Sequence, residues 1–167
     1  GLLVLARSGV VELAETRDLG IVTGQALDRL GGQAEARSIQ IEASQTGAAV
    51  VRCDPVLLDR LVDNLLDNAI RHNVDGGRVE VRVSRSDAEA VVLIENTGRP
   101  LDEVTVARLG EPFYRGRSGE RRAPGTGLGV AIARSIAEAH SGRLDVRHRE
   151  GGGLVVVVVL PAVGDTD

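Results

Sequence analysis

Residues 54–73, DPVLLDRLVDNLLDNAIRHN, constrain the fold of this chain more than any other stretch. Their apolar members fall in adjacent pairs four apart: Leu57/Leu58, Leu61/Val62, Leu65/Leu66 and Ala69/Ile70. That spacing lines one face of an α-helix. A helix with such a face must bury it, so the rest of the chain has to supply a surface that covers it. Asp54 is placed to cap the helix start, and Pro55 falls at the first helical position, where its missing N–H costs nothing. The opposite stripe carries Asp59, Arg60, Asp63, Asn64, Asp67, Asn68, Arg71 and His72. Asn64 and Asn68, four apart, point the same way. Two carboxamides followed by Arg71 and His72 could hold a hydrated cation and the phosphates it carries. Taken alone, they read as the solvated face of an amphipathic helix, and only the stretches downstream favour the other reading.

What could cover that helix is bounded by length. A chain of 167 residues, 43% hydrophobic, can build one ordinary core and little beyond it. The net charge of −4 gives no electrostatic reason to expect nucleic acid or an anionic membrane surface as a partner. Phe113 and Tyr114 are the whole aromatic complement, too few for base-stacking platforms. Cys53 is alone, which rules out an internal disulfide and a thiolate-rich metal site. No apolar run approaches the roughly eighteen residues of a membrane span. All twenty basic residues are arginine. Without lysine, neither a P-loop ending in Gly-Lys-Ser/Thr nor a protein-kinase strand lysine is available.

Around the central helix the pattern alternates between helical and extended periods. Residues 1–15 read as helix, with Leu2, Leu5, Val10 and Leu13 to one side, and 16–18 break it and can cap the next helix. Residues 19–36 form that second helical segment, weakened towards its end by Gly31 and Gly32. Strands are expected over 38–43 and 48–52, then over 79–83 and 91–95 with a hairpin-like 86–88 between them. Residues 102–109 make a short helix, 110–125 a Gly-, Arg- and Pro-rich loop, and 126–140 a clear helix. Strands over 144–148 and 154–160 close the chain, with a disordered tail expected after Pro161. The sum is a two-layer α/β sandwich, a mixed sheet with helices on one face, preceded by a partial helix.

Three more stretches carry chemistry. LIENTGRP, residues 93–100, ends a buried strand with Asn96-Thr97-Gly98, where a side-chain amide can pair with the edge of a purine. EPFYRG, residues 111–116, places the aromatic pair within the loop, able to anchor it to the body. GTGLGV, residues 125–130, leads into a helix, and alternating glycines there present backbone N–H groups and a positive dipole end suited to a polyphosphate. Singly, each is also an ordinary turn, plugged loop or helix start.

In order and spacing, DNAIRHN, ENTG, EPFYRG and GTGLGVAIARSIAEAHSGRL resemble the asparagine, first glycine, phenylalanine and second glycine boxes of the sensor histidine kinase ATP-binding domain. That domain has the Bergerat fold of the superfamily that also includes gyrase, Hsp90 and MutL. The resemblance covers about residues 18–160. It implies that Asn68 coordinates Mg²⁺ bridging the phosphates of ATP, that Asn64 supports the same site, and that Arg71 reaches a phosphate oxygen. It further implies that His72 faces the nucleotide, that Asn96 accepts a hydrogen bond from the adenine amino group, and that Gly98 leaves room for the ring. Gly125, Thr126, Gly127, Leu128 and Gly129 would wrap the triphosphate. Residues 99–124 would be the ATP lid, with Arg115 touching the γ-phosphate and Arg117, Arg121 and Arg122 able to offset phosphate charge. The family pattern Asp-x-Gly-x-Gly is here Asn96-Thr-Gly98-Arg-Pro100. A neutral amide should make a weaker adenine contact than a carboxylate by about 1 kcal/mol, so Asn96→Asp is expected to tighten binding. Pro100 stiffens the first hinge of the lid.

The reaction implied is transfer of the γ-phosphate to a histidine on a dimerisation hairpin, for relay to a response regulator. None of His72, His140 and His148 is followed by the acidic residue and proline of the family's acceptor, so that hairpin is expected outside this chain. Residues 1–16 would be the end of its second helix, 17–163 the catalytic domain and 164–167 a disordered tail. The domain would be cytoplasmic and without direct membrane contact, in a protein anchored in the cell membrane. Where superfamily hydrolases carry a glutamate to activate water, this chain has Asn64, which cannot take a proton. Two alternatives are a stand-alone serine kinase of the anti-sigma type and a nucleotide-binding module with little turnover.

Overall fold

The computed structural model describes residues 11–109 and 128–164. Its centre is α2, Pro55–Arg71, where Asp54 accepts from the N–H groups of Val56 and Leu57 as the N-cap. Leu58, Leu61, Val62, Leu65, Leu66, Ala69 and Ile70 are buried along one face. Fully burying a leucine stabilises by about 1.5–3 kcal/mol, so this face alone supplies a large share of the core energy.

The surface beneath it is a five-stranded sheet in the order β2-β4-β5-β7-β6. Its strands are β2, Gln40–Thr46; β4, Arg78–Arg85; β5, Glu89–Asn96; β6, Arg143–His148; and β7, Leu154–Pro161. The β4/β5 and β6/β7 hairpins and the central β5/β7 pair are antiparallel, and β2 joins the edge of β4 in parallel. Period-two alternation decides which side meets the helices. Val79, Val81 and Val83 of β4 and Ala90, Val92, Ile94 and Asn96 of β5 are buried. Arg78, Glu80 and Arg82 stand on the other face of β4, where both arginines pair with Glu80.

Helix α1, Leu19–Glu35, is capped by Asp18 and packs beside α2. It runs through Gly31 and Gly32 without a break, because the buried Val22, Ala26 and Ala34 dock it on the core. On the other flank of α2 lies α4, Gly129–Ala139; α3, Glu103–Arg108, is a short helix. At the end of α4, His140 is buried. Its Nδ1 lies 2.8 Å from Ile136 O, and its Nε2 accepts from Asp54 N at 3.2 Å. A carbonyl can only accept and an amide N–H can only donate, so the ring carries its hydrogen on Nδ1 and ties the end of α4 to the start of α2.

Two expectations need correction. The leading helix does not reach Glu15: residues 11–14 have no regular structure, Glu15–Asp18 is β1, and the earlier part lies outside the described residues. β1 pairs antiparallel with β3, Val50–Cys53, in a ribbon of its own, and that long-range pairing outweighs the local helical pattern. Nor is the chain loose from Pro161 onward. Ala162 N donates to Ala88 O and Val163 N to Val50 O, so these two residues fasten the ribbon to the sheet.

Candidate functional site

The polar stripe of α2 separates into two rows. Asp59 and Asp63 face the α1 side, where Arg17 reaches Asp59 at 2.8 Å and Arg29 reaches Asp63 at 2.7 Å. Asn64 and Asn68 form the other row. The start of α4 lies against it, close enough that a Cβ on Gly129 would stand 3.7 Å from Asn64 O. Leu128 is the N-cap of α4 and contributes no side-chain hydrogen bond there. The Asn64 Nδ2 atom is buried without a hydrogen-bond partner, and the Asn68 amide forms no hydrogen bond among the described residues. Buried polar atoms are ordinarily paired; among the described residues Thr23 Oγ1 and Arg134 Nε share this state, and Asn64 is the one that lies beside the helix N-terminus of α4.

One turn further on, the helix ends at a built corner. The Arg37 guanidinium donates to Ile70 O at 2.6 Å, Arg71 O at 3.0 Å and Asn73 O at 2.7 Å, and pairs with Asp75 at 2.8 Å. It satisfies carbonyls that a helix C-terminus leaves open. Arg71 pairs with Asp67 at 2.8 Å. His72 is the C-cap and is exposed as a residue; partial burial of its ring, followed by the charge of Arg71, holds its pKa below the usual histidine value.

The end of β5 meets this corner. Asn96 is 3% exposed, and its Nδ2 donates to Thr97 O at 2.8 Å. Among the described residues, nothing donates to its Oδ1. The Thr97 hydroxyl donates to Asn73 Oδ1 at 2.6 Å and accepts from Arg78 N at 2.7 Å. Asn73, itself buried, donates to Ala69 O and Arg78 O and accepts from Val74 N. Gly77 must be glycine, since a Cβ there would strike Asn73 Oδ1 and Thr97 Oγ1. A Cβ on Gly98 would lie 3.1 Å from both His72 O and Gly153 Cα, so the protein's own packing already calls for glycine at 98. Gly153, at φ +100°, donates its N–H to Arg99 O and brings the β6/β7 turn under this segment.

The structure therefore brings Asn64, Asn68, Arg71, His72, Asn96, Gly98, Leu128 and Gly129 to the same end of the α2/α4 layer. Arg115, Gly125, Thr126 and Gly127 lie outside the described residues. Arg37, Asn73, Thr97, Gly77 and Gly153 shape the same corner and were missed by sequence reasoning. Asn73 and Gly77 could have been noticed as residues flanking a helix end and a turn; nothing local marks Arg37, which acts across 33 positions or more. A separate cleft of about 190 Å³ lies between α1 and the β2 edge, lined by Thr23, Leu27, Gln45 and Val83 among others. It has no charged side chain on its walls and is unsuited to a polyphosphate.

Can these residues hold a magnesium nucleotide? Mg²⁺ binds oxygen, keeps several waters and needs few protein groups when phosphates complete its shell. A row of uncommitted carboxamides beside a helix N-terminus suits that, as the open Asn96 Oδ1 suits a base with a hydrogen-bond donor. Among the described residues no group of three or more His, Cys, Asp or Glu could hold a metal by itself.

Comparison with known proteins bears on the fold and the family. The profile of the histidine kinase-, DNA gyrase B- and HSP90-like ATPase family matches residues 53–164. The chain belongs to that family. Within it the relatives are sensor kinases. The sensor protein CutS of Streptomyces coelicolor is 45% identical over 166 residues, which is 96% of this chain and 39% of CutS. The mycobacterial sensor histidine kinase MprB is 31% identical and superposes with a TM-score of 0.78, covering 90% of this chain and 99% of that structure. Histidine kinase ThkA, solved with the response regulator protein TrrA, is 19% identical with a TM-score of 0.74 over 92% of this chain and 43% of that one, and shows the fold alone. The chain is thus the ATPase-type catalytic domain of a sensor histidine kinase and spans 39% of the length of CutS. Among the described residues no helix is long and apolar enough to cross a membrane.

Proposed function

We propose that this domain binds Mg-ATP between α2, α4 and the end of β5 and transfers the γ-phosphate to a histidine on a dimerisation hairpin outside residues 17–163. The observation that carries this reading is the amide row, Asn64 and Asn68, without hydrogen-bond partners among the described residues and with Asn64 beside the start of α4, while the neighbouring acidic row is paired with arginines. Asn68 would hold Mg²⁺ through its amide oxygen, with Asn64 supporting it. When bound, the ion supplies charge neutralisation on the phosphates. Arg71, steadied by Asp67, adds a cation at the same end, and Asn96 Oδ1 accepts from the adenine amino group. The glycines at 125, 127 and 129 would wrap the phosphates, and Arg115 would stabilise charge on the transferred group. Asn64 and Asn68 offer no base to activate water, which favours a protein acceptor over hydrolysis.

The downstream partner is a response regulator, as ThkA has in its complex with TrrA. In this reading the kinase is membrane-anchored and its catalytic domain cytoplasmic. Calorimetric titration with ATP, with and without Mg²⁺, tests the site beside Asn68→Ala. The expected result is Mg-dependent binding that Asn68→Ala weakens at least about 100-fold. Equal affinity in the variant would sink the assignment. Transfer of phosphate from ATP to a separately supplied hairpin then tests the reaction.

A further inference from the structure

A carboxamide can present either a donor or an acceptor, so a neutral residue at position 96 leaves base recognition undefined until something orients it. A carboxylate has no such ambiguity. In this structure Asn96 Nδ2 lies 2.8 Å from Thr97 O, and a carbonyl oxygen can only accept, so nitrogen must occupy the inner position. Asn96 is itself buried, so water has little access to that inner position. Thr97 in turn cannot drift. Its N–H donates to Arg78 O, its hydroxyl accepts from Arg78 N, and the same hydroxyl donates to the buried Asn73.

We propose that Thr97, braced by Asn73, is a positioning residue that sets the Asn96 amide with its oxygen towards the base. The proposal rests on the nucleotide reading above and adds to it how a neutral residue is made to act as a one-way acceptor. Selectivity for a 6-amino purine over a 6-oxo purine then depends on Thr97, which touches no ligand itself. In addition, the site is matched to an amide: a carboxylate at position 96 would set an oxygen against Thr97 O, two acceptors facing each other. The expectation that Asn96→Asp tightens adenine binding is therefore reversed.

The test is calorimetric titration of the chain with Mg-ATP and with Mg-ITP, whose base carries a 6-oxo group. The wild-type chain should bind ATP at least about tenfold more tightly than ITP. Thr97→Val removes the hydroxyl brace and should bring the two affinities within about threefold, whereas Thr97→Ser keeps the brace and the preference. A Thr97→Val chain that melts earlier yet keeps the full preference would show Thr97 to be merely structural and overturn the proposal. If that variant does not fold, Asn96→Asp decides: weaker ATP binding supports the lock, and tighter binding overturns it. Strong, equal binding of ATP and ITP by the wild-type chain would overturn the positioning role and leave the nucleotide site standing. Binding of neither would remove the nucleotide reading and this inference with it.

Discussion

On α2, Asp59 and Asp63 stand one row from Asn64 and Asn68, and the structure treats the two rows in opposite ways. The acidic row meets Arg17 and Arg29 and fastens the helix to β1 and α1. The amide row has no comparable partners among the described residues, and one of its nitrogen atoms is buried without any. Leaving a buried polar group unpaired costs about 1–3 kcal/mol, so the amide row is a standing cost to the empty fold. The acidic row is nearly neutral for stability, because its ion pairs are partly exposed and screened. A ligand that pairs with the amide row would offset that cost, and this is what the proposed site asks of a helix whose two polar rows look alike in sequence.

The largest effect should come from the residue that holds the end of both rows. Arg37→Ala strips three backbone carbonyls and Asp75 of their partner and should cost about 2 kcal/mol, read by chemical denaturation. A loss under half of that would mean that water replaces the guanidinium freely. Next, Asn64→Leu should raise the stability of the empty domain by about 1 kcal/mol while weakening Mg-ATP at least about tenfold. A destabilised variant would show that the amide contributes to the fold after all, and the contrast between the rows would fail. Asp63→Ala should cost no more than about 0.5 kcal/mol and leave nucleotide affinity unchanged, since Arg29 and Asp63 are both nearly half exposed. A marked loss of affinity there would put the acidic row inside the site.

The smallest expected effect is a pH dependence at the C-cap. His72 has a folded-state pKa below 6.5, mainly because crowding disfavours its charged form. The unfolded chain therefore takes up the proton first as the solution is acidified. The stability tied to neutral His72 is present above about pH 6.5 and is lost as the pH falls through the folded-state pKa. His72→Gln should flatten the melting temperature between about pH 7.5 and 5.5 by a small amount, and identical curves would place the imidazole in open water.

How much of this is legible in the sequence depends on the range over which each feature acts. The α2 boundaries, its Asp54 cap and its buried face are readable because they are set within a few residues by periodicity and capping chemistry. The two hairpins are legible for the same reason, from period-two alternation and short polar turns. β1 reads as the last residue of a helix followed by a break and a cap, because ETRD has no strand signal of its own; its pairing with residues 50–53 supplies what the local sequence lacks. Within the site, Asn68 and Asn96 can be singled out by family pattern, whereas Thr97 passes as a turn residue. Its role exists only because β5 ends beside Asn73 and Arg78.

By itself, the sequence determined that one amphipathic helix would be buried on a sheet, that the aspartate and asparagine rows of α2 would lie side by side, and that no lysine could serve a phosphate. Those features come from helical geometry and composition, which are local. Tertiary structure decided which row would be neutralised and which left open, because the arginines that choose between them arrive from 34 and 42 positions away. It also decided which end of the Asn96 amide faces outward, since that depends on a carbonyl oxygen whose place is set only when the strand, the helix end and the glycine turn have come together.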